Sequence, residues 1–222
     1  MGNSFNKIYY DPFKQKIHLW ETIDGKKYSD VIDVVHEYYI EDETGESPIT
    51  DPWGRSVIKK QCKSKKQIDV IKESGIMCFE SDIPQDIKFL HKRYEGRELR
   101  PDIKDFNICS IDIEIESDES EFPHAHLAKF PINLITIKLS KTNQTYTFAL
   151  GRPYTGEKKI NYKHFEKEID MIESFISFFL KAKVDIITGW NSSGLNSFDI
   201  PYIINRSNRL GVQGCLSPIE IG

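Results

Sequence analysis

Hydrophobic positions change their spacing along the chain. Between Phe5 and Thr22 they alternate loosely (Phe5, Ile8, Tyr10, Ile17, Leu19), the period of a half-buried strand, and turn-prone Asp11-Pro12 interrupts them. Asp24-Gly25 reads as a hairpin turn into a further edge carrying Val31, Ile32, Val34 and Val35. Residues 42–54 are acidic, then rich in Pro and Gly, and read as a loop. A helix is predicted from about Lys65 to Glu73, stopped by Gly75, and a second over Gln85–Tyr94, stopped by Gly96. The first hundred residues are therefore α+β. Beyond Pro101, strands are predicted over 106–115, 134–139 and 145–150. A helix follows whose apolar stripe is Phe165, Ile169, Ile172, Ile176 and Phe179. Val184 to Trp190 reads as a short buried strand, and Asp199-Ile200-Pro201-Tyr202 opens another helix, with proline tolerated in its first turn. Strands followed by helix, strand and helix make a layered α/β domain. The expected domains are 1–102 and 103–222.

Composition narrows the function classes. The chain has 222 residues, 39% hydrophobic and 29% charged, enough to bury a core. No apolar run approaches the roughly 18 residues of a membrane helix, and the first residues lack a signal-peptide core, so a soluble, cytoplasmic protein is expected. The net charge is −4, whereas a protein that coats duplex DNA by neutralising phosphates is usually strongly basic; any nucleic-acid contact should be local. Cys62, Cys78, Cys109 and Cys215 form no C-x-x-C pair and read as reduced structural thiols.

The chemistry-bearing segment is Ser110-Ile111-Asp112-Ile113-Glu114-Ile115-Glu116. In a strand, Asp112 and Glu114 share a face, about 7 Å apart, while Ile111, Ile113 and Ile115 occupy the other. Six of the ten residues from Asp112 to Glu121 are acidic, a repulsion that a divalent cation would relieve. The same alternation also describes an ordinary strand with one wet face. A second element is Asp199, at the start of a helix that follows the strand ending in Thr188-Gly189-Trp190-Asn191. By itself it reads as an N-cap. Converging with Asp112 and Glu114, it would complete a carboxylate set able to hold two cations about 4 Å apart, the arrangement that activates water in phosphodiester hydrolysis.

Together the two segments, Phe106 to Glu114 and Thr188-Gly189-Trp190-Asn191 followed by Phe198-Asp199-Ile200-Pro201-Tyr202, resemble the first two exonuclease motifs of family B DNA polymerases, most of all the replicative polymerases of T-even-like bacteriophages. Phe122-Pro123, Ala128, Pro131-Ile132 and Leu134-Ile135-Thr136 are similar to the segment between those motifs; residues 51–55 and 75–94 resemble the N-terminal domain more weakly. The resemblance implies a ribonuclease-H-like 3′–5′ exonuclease domain packed with an α+β N-terminal domain. It implies Asp112, Glu114 and Asp199 as catalytic metal ligands for Mg²⁺ or Mn²⁺, with Glu114 orienting water. Phe122, Asn191 and Phe198 are implied as contacts to the 3′ end of single-stranded DNA. A phage-encoded chain would work in the host cytoplasm.

Two departures stand out. Six residues, Ser192 to Ser197, lie between Asn191 and Phe198 where the family has three, and a bulged, exposed loop is expected there. The third motif, Tyr-x-x-x-Asp, is absent, since Tyr202-x-x-x-Arg206 has the wrong charge, and so are the nucleotide-binding palm motifs. The expectation is the N-terminal part of a replicative polymerase, weakly active or inactive alone. A second polypeptide or a C-terminal segment would carry palm, fingers and third motif. The alternatives are a non-catalytic DNA-binding or scaffolding subunit of a split polymerase, and a standalone exonuclease of the DEDD type. The lysines at 59, 60, 63, 65 and 66 read as a solvated face, and His124 and His126 as incidental loop residues.

Overall fold

In a computed structural model, residues 4–99, 101–117, 122–192 and 197–217 are described. The chain divides into two units, residues 1–101 and 102–222.

The first unit begins as an antiparallel meander of β1 (Ser4–Asp11), β2 (Lys16–Ile23) and β3 (Lys26–Asp33). The first turn is held by the Asp11 carboxylate, which accepts from the backbone N–H groups of Phe13 and Lys14 at 2.9 and 3.0 Å. The second is the expected Asp24-Gly25 turn, with φ of 49° and 78°, the paired positive values a tight hairpin needs. β4 (His36–Glu41) and β5 (Val57–Cys62) form a separate antiparallel pair, followed by α1 (Lys65–Glu73) and α2 (Gln85–Tyr94). Both helices stop where the sequence predicts, before Gly75 and Gly96, each at positive φ. β5 was not anticipated. Lys59, on this strand, is ion-paired with Glu37 of β4 at 2.8 Å.

In the second unit the expected strands are β6 (Ile108–Ile115), β7 (Ile132–Leu139) and β8 (Gln144–Leu150). To these the fold adds β9 (Asn161–Phe165), then α3 (Glu168–Lys181), β10 (Ile186–Thr188) and α4 (Asp199–Arg209). One mixed sheet runs β10-β6-β7-β8-β9, with β10 parallel to β6, β9 parallel to β8, and the central pairs antiparallel. α3 buries Met171, Ile172, Phe175, Ile176 and Phe179 in a core with Cys109, Ile111, Ile135, Ile137 and Phe148 of the sheet. The expected helical stripe is thereby corrected at its start. Phe165 closes β9, and Ile169 is 40% exposed because the buried face is set by the 171/172/175/176/179 pattern. β10 is also shorter than the predicted 184–190 strand, since residues 189–192 turn away from the sheet. No helix of the described residues is long and apolar enough to cross a membrane.

Candidate functional site

β6 alternates as expected. Cys109, Ile111 and Ile113 are buried, while Ser110, Asp112 and Glu114 are exposed on the opposite face. On β7 their partners are Lys138, Thr136 and Leu134. The ladder shifts register immediately after Glu114, so that Ile115 pairs with Ile132 and Asn133 is the extra residue. Such a bulge bends the strand and re-aims neighbouring side chains. On the other flank, β10 lies parallel to β6 as far as Thr188 opposite Ser110. Gly189 comes next, pressed on the strand so closely that a Cβ there would lie 2.6 Å from the Ile111 carbonyl oxygen. The glycine lets the chain leave β10 beside Asp112 without a side chain in the way. Asn107 fastens the base of this strand pair. Its backbone N–H donates to the Asp185 carboxylate (2.7 Å), its side-chain amide to the Ala182 carbonyl (2.8 Å), and its carbonyl accepts from the Asp185 N–H (2.9 Å).

Asp199 is not the N-cap of α4. Phe198 holds that position, and Asp199 is the first helical residue, only 5% exposed. The cap is supplied by a backbone atom: the Asn191 carbonyl accepts from the N–H groups of Phe198 (2.5 Å) and Asp199 (3.3 Å). Burial, and secondarily the Asp112 charge, push the Asp199 carboxyl above its ordinary pKa. Asp112 and Asp199 are thus brought into electrostatic contact across two elements distant in sequence. Helix α4 is locked by Arg206, whose guanidinium forks onto Glu168 of α3 (2.9 and 2.6 Å) and also donates to the carbonyls of Ala128 (3.2 Å) and Lys129 (2.8 Å). Glu168 in turn accepts from the Ile132 N–H at 2.8 Å, tying both helices to the start of β7.

Beside Asp199 runs a chain of aromatic rings. Phe122, 78% exposed, lies 6.2 Å from Phe198, which lies 5.2 Å from fully buried Tyr202. The Tyr202 hydroxyl anchors the inner end by donating to the Phe130 carbonyl (2.9 Å) and accepting from the Phe130 N–H (3.0 Å). The exposed end offers a π-face for stacking. Asn191 is present at the site through its carbonyl, and its side chain is exposed. The middle of the expected insertion loop, residues 193–196, and the acidic residues 118–121 lie outside the described residues. His124 and His126 sit with ring centroids 5.6 Å apart in the loop leading to Ala128.

Among the described residues, no group of three or more His, Cys, Asp or Glu side chains is gathered closely enough to hold a metal ion. The donor set still fits a hard divalent cation. Carboxylate oxygens are what Mg²⁺ and Mn²⁺ take, and a buried carboxyl held up by a neighbouring negative charge is what such an ion relieves. Asp112 and Asp199 are the pair the fold brings together, with Glu114 two residues along the same strand face. The four cysteines are free, and burial pushes the Cys109 thiol up to about 11, leaving it a neutral core residue.

The family model for the DNA polymerase family B exonuclease domain matches residues 50–217, from within the first unit to beyond α4. The chain belongs to that family. Similar curated proteins include the DNA-directed DNA polymerases of Escherichia phage RB69 (29% identical over 134 residues, 49% of this chain) and Enterobacteria phage T4 (28% over 136 residues, 50%). The DNA polymerase catalytic subunit of Saimiriine herpesvirus 2 is 28% identical over 141 residues, 53% of this chain. The matched region amounts to 14–15% of the length of these relatives. Within the family B exonuclease domain, Gly189 and the Asn191 carbonyl are the features that the residue-by-residue reading missed. A glycine directly after a short strand was the available signal for the first. A backbone acceptor leaves no signal in the sequence.

Proposed function

We propose that the chain forms the N-terminal and exonuclease part of a replicative DNA polymerase, and that its site removes nucleotides from the 3′ end of single-stranded DNA with Mg²⁺ or Mn²⁺. The observation that carries this reading is the coupling of Asp199 to Asp112 in a chain of this family. Asp112, Glu114 and Asp199 would hold the ion, with Glu114, on the same face as Asp112, also orienting the attacking water. A divalent ion held there would supply a lower pKa for that water and charge compensation for the phosphoryl oxygens. Phe122 stacks on the terminal base, Phe198 supports it from beneath, and the Asn191 carbonyl keeps Phe198 and Asp199 in register. The exonuclease domain is taken as ribonuclease-H-like, on the mixed sheet whose carboxylate-bearing strand β6 lies between β10 and β7. The finer assignment to T-even-type phage polymerases rests on the motif wording in the sequence. Phage and herpesvirus relatives match at nearly equal identity.

The test is hydrolysis of 5′-labelled single-stranded DNA with Mg²⁺, by the chain alone and with a polypeptide carrying the palm, fingers and third exonuclease motif. Little product is expected from the chain alone, and stepwise 3′ shortening from the pair, abolished by Asp112→Asn or Asp199→Asn. Shortening that survives Asp112→Asn overturns the site. Binding without hydrolysis by the complete pair would assign the chain a scaffolding role instead.

A further inference from the structure

The turn from Asp51 to Arg55 plays no part in the exonuclease site, yet it is tied at every step. Its arms pair through the Val57 N–H on the Ile49 carbonyl and the Asp51 N–H on the Arg55 carbonyl (both 2.9 Å), with Thr50 bridged to Ser56. The Asp51 carboxylate accepts from the N–H groups of Trp53 and Arg55 (both 2.9 Å) and from Arg55 Nε (2.7 Å). The result is a small hairpin that holds the Trp53 ring in water, 79% exposed, at its tip. A second tie fixes the segment before α2 to β4. There Tyr39 and Phe79 exchange backbone N–H to carbonyl bonds of 3.1 and 2.8 Å. Hairpin and tied segment together enclose a cavity of about 500 Å³, walled by Tyr39, Ile49, Trp53, Val57 and Phe79. That lies within the range of about 300–1,000 Å³ of ligand sites. Main-chain bonds hold the walls, so the cavity is formed before anything enters it. Ile76 and Met77, which lead up to Cys78 on its wall, are exposed.

An exposed indole on the rim of an apolar cavity marks a contact surface, since aromatic rings and methionine are what interface centres are rich in. The surrounding charge decides the kind of partner. Asp51, Glu80 and Asp82 stand on the wall, and no lysine or arginine lines it. Exposed Glu41, Glu43 and Glu46 lie on the adjoining stretch, which is held against the hairpin by the Asp42 N–H on the Ser56 carbonyl (2.9 Å) and the Ser47 hydroxyl on the Val57 carbonyl (2.7 Å). Lys59 and Lys88 feel the Glu80 charge, but both are turned onto Glu37, one at its carboxylate (2.8 Å) and the other at its carbonyl (2.6 Å). Such a rim repels a phosphate backbone and draws in a cationic chain. Arg55 shows what the rings accept. Its guanidinium, paired with Asp51, lies 5.2 Å from the Phe79 centroid and 5.7 Å from the Trp53 centroid. We infer that this cavity docks a short basic segment of a partner polypeptide. One large apolar side chain of the segment fills the cavity against Trp53, and flanking Lys or Arg side chains meet Glu80 and Asp82. The inference is independent of the exonuclease assignment, since it uses no residue of that site.

The test uses the full chain and a set of fluorescein-labelled hexapeptides, read by polarisation. The central pair is Leu-Phe, Leu-Trp or Ala-Ala, flanked on each side by two lysines or two glutamates. The lysine-flanked Leu-Phe and Leu-Trp peptides are expected to bind, and to bind tighter than both their glutamate-flanked counterparts and the lysine-flanked Ala-Ala peptide. Trp53→Ala, at an exposed tip, should weaken that binding by about 5- to 30-fold, the effect of one interface anchor, and Trp53→Phe should restore most of it. Glu80→Gln combined with Asp82→Asn, both at exposed positions, should weaken binding and flatten its dependence on salt without moving the thermal midpoint. Failure of every lysine-flanked apolar peptide to bind would overturn the inference, as would equal binding of the glutamate-flanked ones. So would unchanged peptide affinity in a folded Trp53→Ala variant. Labelled oligo(dT) whose affinity falls with Trp53→Ala would assign the cavity to nucleic acid instead, and a chain that dimerises through Trp53 would assign it to a second copy; either result overturns the inference.

Discussion

At position 189 there is no room for a methyl group. A Cβ would meet the Ile111 carbonyl oxygen at 2.6 Å and the Ser192 Cβ at 3.0 Å, and the first of these neighbours is the backbone of the strand that carries Asp112. Gly189→Ala should therefore push β10 away from β6. The expected result is a thermal midpoint lowered by several degrees and loss of the Asp112–Asp199 coupling, read as loss of Mn²⁺-induced stabilisation. Asp199 gives a prediction with a definite sign. Its carboxyl holds a proton to higher pH in the fold than in the unfolded chain, where 3.8 is the ordinary value. Between those two pKa values the folded chain binds more protons, so stability falls as pH rises through that window, and the loss persists at neutral pH. In metal-free buffer, Asp199→Asn should raise the thermal midpoint at pH 7, a gain that shrinks toward zero as pH falls to 3.8 and below. Mn²⁺ should stabilise the parent chain and not the variant. A lower midpoint for the variant at pH 7 would mean that the carboxylate makes a net stabilising contact.

At the scale of elements, legibility followed local chemistry. The ends of α1 and α2 could be read because a glycine at positive φ stops each one. β9 could not. Asn161-Tyr-Lys-His-Phe mixes polar and aromatic residues without alternation, and it is a strand because β8 offers it a parallel edge. Phe165 fell into helical step with Ile172 by coincidence. The Asp112/Glu114 face was legible because strand alternation depends on sequence alone, whereas the proximity of Asp199 depends on α4. That helix is placed by Arg206, which ties it to Glu168 of α3 and to the carbonyls of Ala128 and Lys129. With both partners largely buried, Arg206→Ala strands the Glu168 charge and frees the carbonyls of Ala128 and Lys129. It should cost about 3–5 kcal/mol in chemical denaturation. A cost near zero would mean that α4 is held by Tyr202 and Ile203 alone.

For the whole molecule, the division at residue 101 gives each unit its own buried polar lock. In the first unit this is Glu21 of β2, which receives the Arg93 guanidinium (3.0 and 2.5 Å) and the Tyr94 hydroxyl. Burial and the Glu21 carboxylate together drive the Tyr94 phenol well above its ordinary pKa. Glu21→Gln removes the charge from this cluster while keeping its shape. Because Arg93 is about a third exposed to water, the cost should be about 1–3 kcal/mol, below that of a fully buried pair. Amide hydrogen exchange should rise in peptides from residues 1–101 and stay unchanged in α3 and α4. Equal acceleration in both units would mean that they unfold together.

The cap on α4 carries one more consequence. Because the Asn191 carbonyl binds the amides of Phe198 and Asp199 directly, the two flanks of the 192–197 segment are held together at a single gate. Halving a connecting loop alters its closure entropy by only about 0.6 kcal/mol, so the number of residues between Asn191 and Phe198 is nearly free to drift while the helix start stays fixed. For an engineer this is a splice point beside Asp199. A fluorophore-binding tag inserted after Ser192 should be carried without loss of the thermal midpoint and report on arriving DNA. A spliced chain that melts well below the parent would show that the gate needs the native segment to close.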